Sequence, residues 1–307
     1  MNFLITGGCG FIGSHFLRKM VNKYLDNNYI CLDAFTYAAD IKRIGSIINN
    51  SNFKLIKGNI LDKELVEKII LENRIEYIIN FAAETSVDKS ILEPLVFSET
   101  NYLGVQTLAM LALKYDIVLH QISTDEVYGS GDDYLFTEDD KLNPSSPYSS
   151  SKAAADLLII ALNKTYNLKY RITRSCNNYG LYQHDEKVIP RFISRIKNNQ
   201  KLQIYGNGLN VREWLHLDDH INALELIITN GEINCIYNIG SGYFLNNLEL
   251  TNKILSLAKK DSSNIEFIED RKGHDKKYGI NFTKLKKLGY SITTDFDQEL
   301  LKIYKFE

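Results

Sequence analysis

Short apolar or β-branched runs alternate with stretches of helical spacing through the first half of the chain. Asn2–Ile5 reads as a strand. From Phe11 to Tyr24 the spacing turns helical, with Phe11, Ile12, Phe16, Leu17 and Met20 on one side. Tyr29–Leu32 is a second strand, ending at Asp33, and Phe53–Lys57 a third. A helix over Lys63–Glu72, a strand at Tyr77–Phe81, a long helix over Glu93–Lys114, a strand at Val118–Ser123 and a helix over Ser150–Tyr166 continue the series. Strands alternating with helices in this way build β-α-β units and a parallel sheet.

Beyond about residue 175 the alternation loosens. Val188–Asn198, Asp218–Thr229 and Asn247–Lys259 read as helices, and Leu202–Tyr205, Ile236–Ile239 and Ile265–Ile268 as short strands. The expected fold is α/β: a doubly wound parallel sheet over residues 1–175, joined by part of 211–235, with a smaller α+β domain over 176–307.

Composition narrows the function without naming it. With 307 residues, 44% of them hydrophobic, the chain can bury a large core. A net charge of −2 argues against holding nucleic acid by bulk charge. No apolar run reaches transmembrane length, and Met1–Thr6 has no basic leader region. The four cysteines, Cys9, Cys31, Cys176 and Cys235, lie far apart. They suggest neither a metal site nor a disulfide framework, and fit a cytoplasmic setting.

Three motifs carry chemistry. Gly7-Gly8-Cys9-Gly10-Phe11-Ile12-Gly13 follows the first strand and opens the first helix. A lone glycine cluster is often only a turn. Here strand, loop and helix come in order, and an acid, Asp33, lies about 20 residues on at the end of the second strand. Gly7 allows the tight turn, Gly10 the approach of a pyrophosphate, and Gly13 close packing of helix on strand. Asp33 could accept from both ribose hydroxyls and would repel a 2′-phosphate, which favours NAD over NADP. Arg43 is the only nearby arginine that could reverse that preference.

The second motif, Tyr148-Ser149-Ser150-Ser151-Lys152, sets a phenol and an ammonium on one helical face. Such a neighbour lowers a tyrosine pKa and suits Tyr148 to act as a base. With 19 tyrosines one such pair could arise by chance; its place after a glycine fingerprint and a strand ending in Ser123-Thr124 gives it weight. The third is Thr124-Asp125-Glu126-Val127-Tyr128-Gly129, where ligands of open α/β sheets bind. A bare acidic pair is usually a solvated turn. In this position one carboxyl can serve as an acid and its neighbour as a base.

These residues resemble the extended short-chain dehydrogenase/reductase superfamily, and the Thr-Asp-Glu-Val-Tyr-Gly run resembles its NDP-glucose 4,6-dehydratases. Similarity extends over nearly the whole chain. It includes Leu32–Ala38, Ala82–Asp88, Glu99–Asn101, Asn177–Gly180, Glu186–Pro190, Val211–Leu215, Tyr237–Gly240 and Arg271–Asp275. The resemblance implies a Rossmann-type NAD domain and a smaller nucleotide-sugar domain. It assigns catalysis to Thr124, Asp125, Glu126, Tyr148 and Lys152. It assigns NAD to Gly7, Gly10, Phe11, Ile12, Gly13, Asp33, Thr36, Asn59, Ile60, Ala82, Ala83, Thr100 and Asn178. Nucleotide sugar falls to Thr85, Asn177, Glu186, Lys187, Gln203, Ile204, Tyr205, Arg212, Asn247, Arg271 and His274. Departures from the family pattern are Asn59 for a usual Asp, Ala34 for Lys, Ser86 for His and Gln203 for Pro.

The implied reaction turns a pyrimidine-diphosphate glucose, dTDP- or UDP-linked, into its 4-keto-6-deoxy derivative and water, with hydride held transiently on NAD, for rhamnose-type deoxysugar synthesis. A C4-epimerase or decarboxylase of the same superfamily is the rival, and Asp125-Glu126 discriminates, because epimerisation needs no acid/base pair at C5 and C6. A non-catalytic redox-sensing binding protein on the same fold is the alternative from another class. The resemblance also implies a homodimer, with Leu103, Leu108 and Leu111 of one helix and Ala154, Leu157, Leu158 and Ala161 of another in a four-helix bundle.

Overall fold

The computed structural model describes residues 1–131 and 133–307. In chain order the elements are β1 (Asn2–Thr6), α1 (Phe11–Lys23), β2 (Asn28–Asp33), β3 (Phe53–Lys57), α2 (Lys63–Asn73), β4 (Tyr77–Asn80), α3 (Val87–Leu92), α4 (Pro94–Ser98), α5 (Val105–Lys114), β5 (Val118–Thr124), α6 (Pro147–Tyr166) and β6 (Tyr170–Ser175). There follow β7 (Asn177–Tyr179), α7 (Val188–Lys197), β8 (Leu202–Tyr205), β9 (Val211–His216), α8 (Leu217–Asn230), β10 (Cys235–Ile239), β11 (Phe244–Asn246), α9 (Asn247–Leu257), β12 (Ile265–Ile268), α10 (Thr283–Lys286) and α11 (Phe296–Phe306).

The chain divides into two compact units. The first comprises Met1–Thr124, Pro147–Arg174 and Thr229–Tyr237; the second, Asp125–Ser146, Ser175–Ile228 and Asn238–Glu307. The expected change near residue 175 falls at Arg174/Ser175. The return segment, Thr229–Tyr237, takes in the end of 211–235, and Asp125–Ser146 groups with the second unit.

The first unit is built on a seven-stranded sheet in the order β3-β2-β1-β4-β5-β6-β10. The β1–β2, β2–β3, β1–β4 and β4–β5 pairs are parallel, with Leu4 opposite both Ile30 and Ile78. This is the doubly wound Rossmann order, and its reversal lies between β1 and β4. Buried Leu4, Ile30, Ile78 and Leu119 of the strands pack with Val66, Ile69, Leu108, Leu111, Ala155 and Ile159 of the helices. Near-continuous apolar strands are what a sheet covered on both faces requires.

The second unit holds a three-stranded sheet, β11-β9-β7, and a parallel pair, β12-β8. Ile189, Phe192, Ile193 and Ile196 of α7 share its core with Ile204, Trp214, Leu250, Ile254 and Phe296.

Two expectations change. The helix expected over Glu93–Lys114 runs from Pro94 to Lys114 with a π-helical turn inside it, after a break at Glu93. Glu93 has φ −132° and ψ 64°, because the residue before Pro94 is driven out of the α region. Helix α3 precedes that break, α4 follows it, and a π-helical turn over Glu99–Gly104 leads into α5. The dimer expectation treated Leu108 and Leu111 as surface residues, yet both are buried in this unit's own core.

Candidate active site

In the first unit the glycine loop is shaped by contacts that admit no side chain. Gly7 has φ +68°, and a Cβ there would lie 2.6 Å from the Ala82 nitrogen. A Cβ on Gly13 would lie 2.5 Å from the Gly7 oxygen. Helix α1 starts at Phe11 with Gly10 as its N-cap and no side-chain cap. Its positive end is therefore available to an anion. Phe11 and Ile12 form the first turn behind that end.

Asp33 sits at the end of β2, buried, and serves the loop as well as any ribose. One carboxylate oxygen accepts the Cys9 amide at 2.8 Å and the other accepts the Phe35 amide at 2.8 Å. The second bond stabilises Phe35 in the left-handed region, at φ +52°. Each oxygen retains a further lone pair for a hydroxyl. Arg43, the residue that could have welcomed a 2′-phosphate, is tied down: it donates to the Ala38 carbonyl at 2.7 Å and to the Cys9 carbonyl at 3.3 Å. A close-approach loop, an uncapped helix end and a carboxylate at the second strand together fit a dinucleotide, and fit NAD better than NADP.

The other residues of this unit expected at the cofactor lie on several elements. Ala82 and Ala83 follow β4, Ile60 is buried against Gly104, and Thr100 lies in the π-helical turn. Thr36 and Asn59 are exposed, and the Asn59 side chain accepts the Leu61 amide at 2.9 Å. Thr85, the residue of this unit expected at the nucleotide sugar, lies just before α3, half-buried.

Tyr148 and Lys152 stand in the first turns of α6, both buried. Lys152 Nζ donates to the Ile122 carbonyl of β5 at 2.6 Å, and burial lowers its pKa to about 8, with Asp156 opposing the fall. Phe97 packs edge-on against Tyr148. Asn101, to which the sequence reading gave no role, bolts the helix in place. Its amide donates to Ser151 Oγ at 2.9 Å and to the Glu84 carbonyl at 3.0 Å, and accepts the Glu84 amide at 2.9 Å. The signal was a polar residue inside an apolar helical stretch. Thr124 closes β5, buried.

In the second unit Asp125 and Glu126 open a 3-10 turn, Asp125–Tyr128. Burial raises the Glu126 pKa, against the pull of Arg212, Arg271 and Lys187; Asp275 adds to the rise. Arg212 is itself buried. It donates to the Asp275 carbonyl at 3.0 Å and lies 4.3 Å from the Tyr278 ring centre. Asp275 was quoted without a role; its carboxylate accepts from Ser145 Oγ and from the Tyr278 hydroxyl. Arginines and a buried carboxylate thus share one electrostatic environment.

The remaining expected residues of this unit divide by exposure. Lys187 is 3.4 Å from the Glu186 carboxylate, ahead of α7. Gln203 donates to Glu266 at 3.0 Å, and Tyr205 meets His274 edge-on. Ile204 faces the core instead, because alternate residues of β8 point to opposite sides. Asn247 opens α9, and Arg271 is half-buried. The Asn177 side-chain oxygen is buried without a hydrogen-bond partner. Asn178, expected at the cofactor, spends its amide locally: it donates to Ser175 Oγ and the Cys176 carbonyl and accepts from His220 at 2.7 Å. Burial drops the His220 pKa to about 3, so the ring is neutral.

A sequence model of the GDP-mannose 4,6 dehydratase family matches residues 4–303. The chain is 46% identical over 301 residues to a protein of Haloferax volcanii described as "Low-salt glycan biosynthesis protein Agl12", spanning 98% of this chain and 96% of that one. It is 39% identical over 298 residues to a dTDP-glucose 4,6-dehydratase of Streptomyces griseus, spanning 96% and 90%. The crystal structure of DesIV, a dTDP-glucose 4,6-dehydratase of Streptomyces venezuelae with NAD bound, superposes with a TM-score of 0.96 at 41% identity, covering 100% of this chain and 96% of that one.

Proposed function

The chain belongs to the GDP-mannose 4,6 dehydratase family, and from that membership we propose that it binds NAD and converts dTDP-glucose to the 4-keto-6-deoxy sugar nucleotide and water. The observation that carries the reading is the Asp125-Glu126 pair directly after Thr124. An epimerase needs no acid and base at C5 and C6. The names of the Streptomyces relatives favour dTDP over UDP as the carrier.

NAD, when bound, supplies the hydride acceptor for C4 and the donor for C6. The glycine loop and Asp33 hold it. Tyr148, assisted by Lys152 and Thr124, removes the C4 hydroxyl proton. The 4-keto group acidifies the C5 proton, and Glu126 takes it and returns a proton to C5 once C6 has received hydride. Asp125, as the neutral acid, protonates the C6 hydroxyl so that it leaves as water. Arg212 and Arg271 suit the diphosphate, and their charge moderates the rise in the Glu126 pKa. Phosphate recognition by forked guanidinium groups is a general use of arginine.

The same proposal includes a homodimer. Leu92 is 80% exposed and Leu95 75%, and Leu103, Met110 and Leu157 are also exposed on α3 to α6. An apolar patch of this kind calls for a cover. The product would enter deoxysugar synthesis in the cytoplasm, for rhamnose or a related glycan sugar. All four cysteines are free thiols, consistent with that setting.

The test is incubation with dTDP-glucose and, separately, UDP-glucose, following the 4-keto-6-deoxy product. Product from UDP-glucose alone would change the carrier. A C4-epimerised product would move the reading to an epimerase, and bound NAD without turnover to a binding protein. Sedimentation at micromolar concentration tests the dimer, and a monomer mass counts against it.

A further inference from the structure

Below Lys152 lies a buried ion pair that the roles above leave unused. Asp156 on α6 is 0% exposed and Arg174 on β6 is 1% exposed. Arg174 Nε donates to Asp156 Oδ2 at 2.9 Å, and Ser123 Oγ donates to the same oxygen at 3.1 Å. Asp156 Oδ1 is buried with no hydrogen-bond partner. A buried pair gains little net stability over apolar side chains of similar size. An open acceptor beside it adds a further cost. Packing alone therefore gives little reason for a carboxylate here.

Its place suggests a use. Asp156 stands four residues after Lys152, so both lie on one face of α6. Tyr148 stands one turn before Lys152 on the same face. From β5, the Ile122 carbonyl takes the Lys152 proton donor and the next residue, Ser123, holds Asp156. From β6, Arg174 fixes the carboxylate. The carboxylate acting on Lys152 is thus Asp156 on its own helix, with Arg174 behind it.

We propose that Asp156 is a positioning residue that keeps Lys152 an ammonium at working pH, with Arg174 and Ser123 aiming its carboxylate. It deepens, and rests on, the reading in which Tyr148 and Lys152 act on the substrate alcohol. Burial alone draws Lys152 toward the neutral amine, and Asp156 opposes that. A neutral Lys152 would no longer favour the Tyr148 phenolate. Asp156 is one turn from Lys152 and two from Tyr148, so its charge helps the ammonium more than it hinders the phenolate.

Two measurements on Asp156→Asn test this. The first needs no substrate: pH titration of tyrosinate absorbance, with Tyr148→Phe subtracted to isolate Tyr148 from the other tyrosines. Tyr148 ionisation should move to higher pH in Asp156→Asn and return toward native in Asp156→Glu. The second is turnover of dTDP-glucose against pH, whose alkaline limb should fall by about one pH unit, the lower end of what a close opposite charge does. If native protein fails to turn over dTDP-glucose while the tyrosinate shift is present, the functional reading fails and the Asp156 role stands. Should Asp156→Asn not fold, the Asp156→Asn/Arg174→Met variant removes both buried charges together and should shift both measurements in the same direction by less, because the repulsion of Lys152 by Arg174 is lost too. A folded variant with unchanged tyrosinate titration, or with rate lost equally at all pH, would reduce Asp156 to a structural residue and overturn the proposal.

Discussion

The Cys9 amide donates to the Asp33 carboxylate at 2.8 Å, which ties the glycine loop to the end of β2. Asp33 was read from the sequence as a ribose acceptor. It also pins the glycine loop to the end of β2.

Asp33→Ala should therefore do two things. The buried Cys9 amide loses its partner, which costs about 1–3 kcal/mol. NAD affinity falls, and discrimination against NADP narrows, because the repelling charge is gone. Thermal unfolding without cofactor measures the first effect and titration with each dinucleotide the second. Unchanged unfolding would mean that water or a neighbour satisfies the amide.

Gly13→Ala tests the loop from its other side. The added Cβ would lie 2.5 Å from the Gly7 oxygen and 3.0 Å from Gly8 Cα, both backbone. Helix α1 must shift away from β1. The expected cost is about 1–3 kcal/mol, the usual range for overpacking, together with at least tenfold weaker NAD binding, about 1.4 kcal/mol. Gly242→Ala is the control for handling, since a Cβ there meets nothing within 4 Å; with φ +75° it should cost stability but not cofactor affinity.

The α/β class, strands β1 to β5 and the glycine loop were legible because their signal is local. Apolar runs give the strands, and three glycines at fixed spacing give the turn. Strands β6 and β9 were missed for one shared reason. Each is buried yet rich in polar residues, whose partners lie far off in sequence. Arg171 donates to the Tyr77 hydroxyl and Arg174 pairs with Asp156. Glu213 accepts the amides of Ser241 and Gly242. The π-helical turn inside the Pro94–Lys114 helix has no local signal, and the bolt from Asn101 to Ser151 spans 50 positions and needed the fold. The residues expected at the sugar nucleotide came from resemblance alone. Strand alternation separates Gln203, which donates to Glu266, from Ile204, whose side chain fills the core, but it says nothing of a sugar nucleotide.

Glu126 gives a prediction in pH. Burial raises its pKa, so ionisation costs the folded state. The stability gained by protonation is fully present below the ordinary value of 4.5 and is lost as pH rises through the folded pKa. Glu126→Gln mimics the neutral acid. It should melt above native protein at neutral pH, and the gap should close as pH falls toward 4.5. Arg212→Gln removes a charge that favours ionisation, so the acid limb of kcat/KM should move to higher pH. Differential melting across pH checks the first claim and a pH–rate profile the second. A Glu126→Gln protein less stable than native at neutral pH would show that its cation contacts outweigh its burial.

The separation of roles between Tyr148 and the carboxylate pair gives the sharpest expectation. Tyr148 is assigned a proton on oxygen, at the first step, whereas Glu126 is assigned a proton on carbon, made acidic only after C4 is a ketone. Tyr148→Phe should stop everything, with turnover down by about 10²–10⁴. In deuterated water native protein should return product carrying solvent deuterium at C5. Asp125→Asn should still exchange C5 through Glu126 while losing water slowly, because its amide cannot protonate the leaving hydroxyl. Glu126→Gln should neither exchange C5 nor release water. The three variants thus fail at three distinguishable points, read by mass spectrometry of the recovered sugar nucleotide. A C4-epimerase would carry no deuterium at C5 under any of them. Rapid C5 exchange in Glu126→Gln would transfer the base role elsewhere. Normal product from the Asp125→Asn/Glu126→Gln protein would remove both carboxylates from the chemistry.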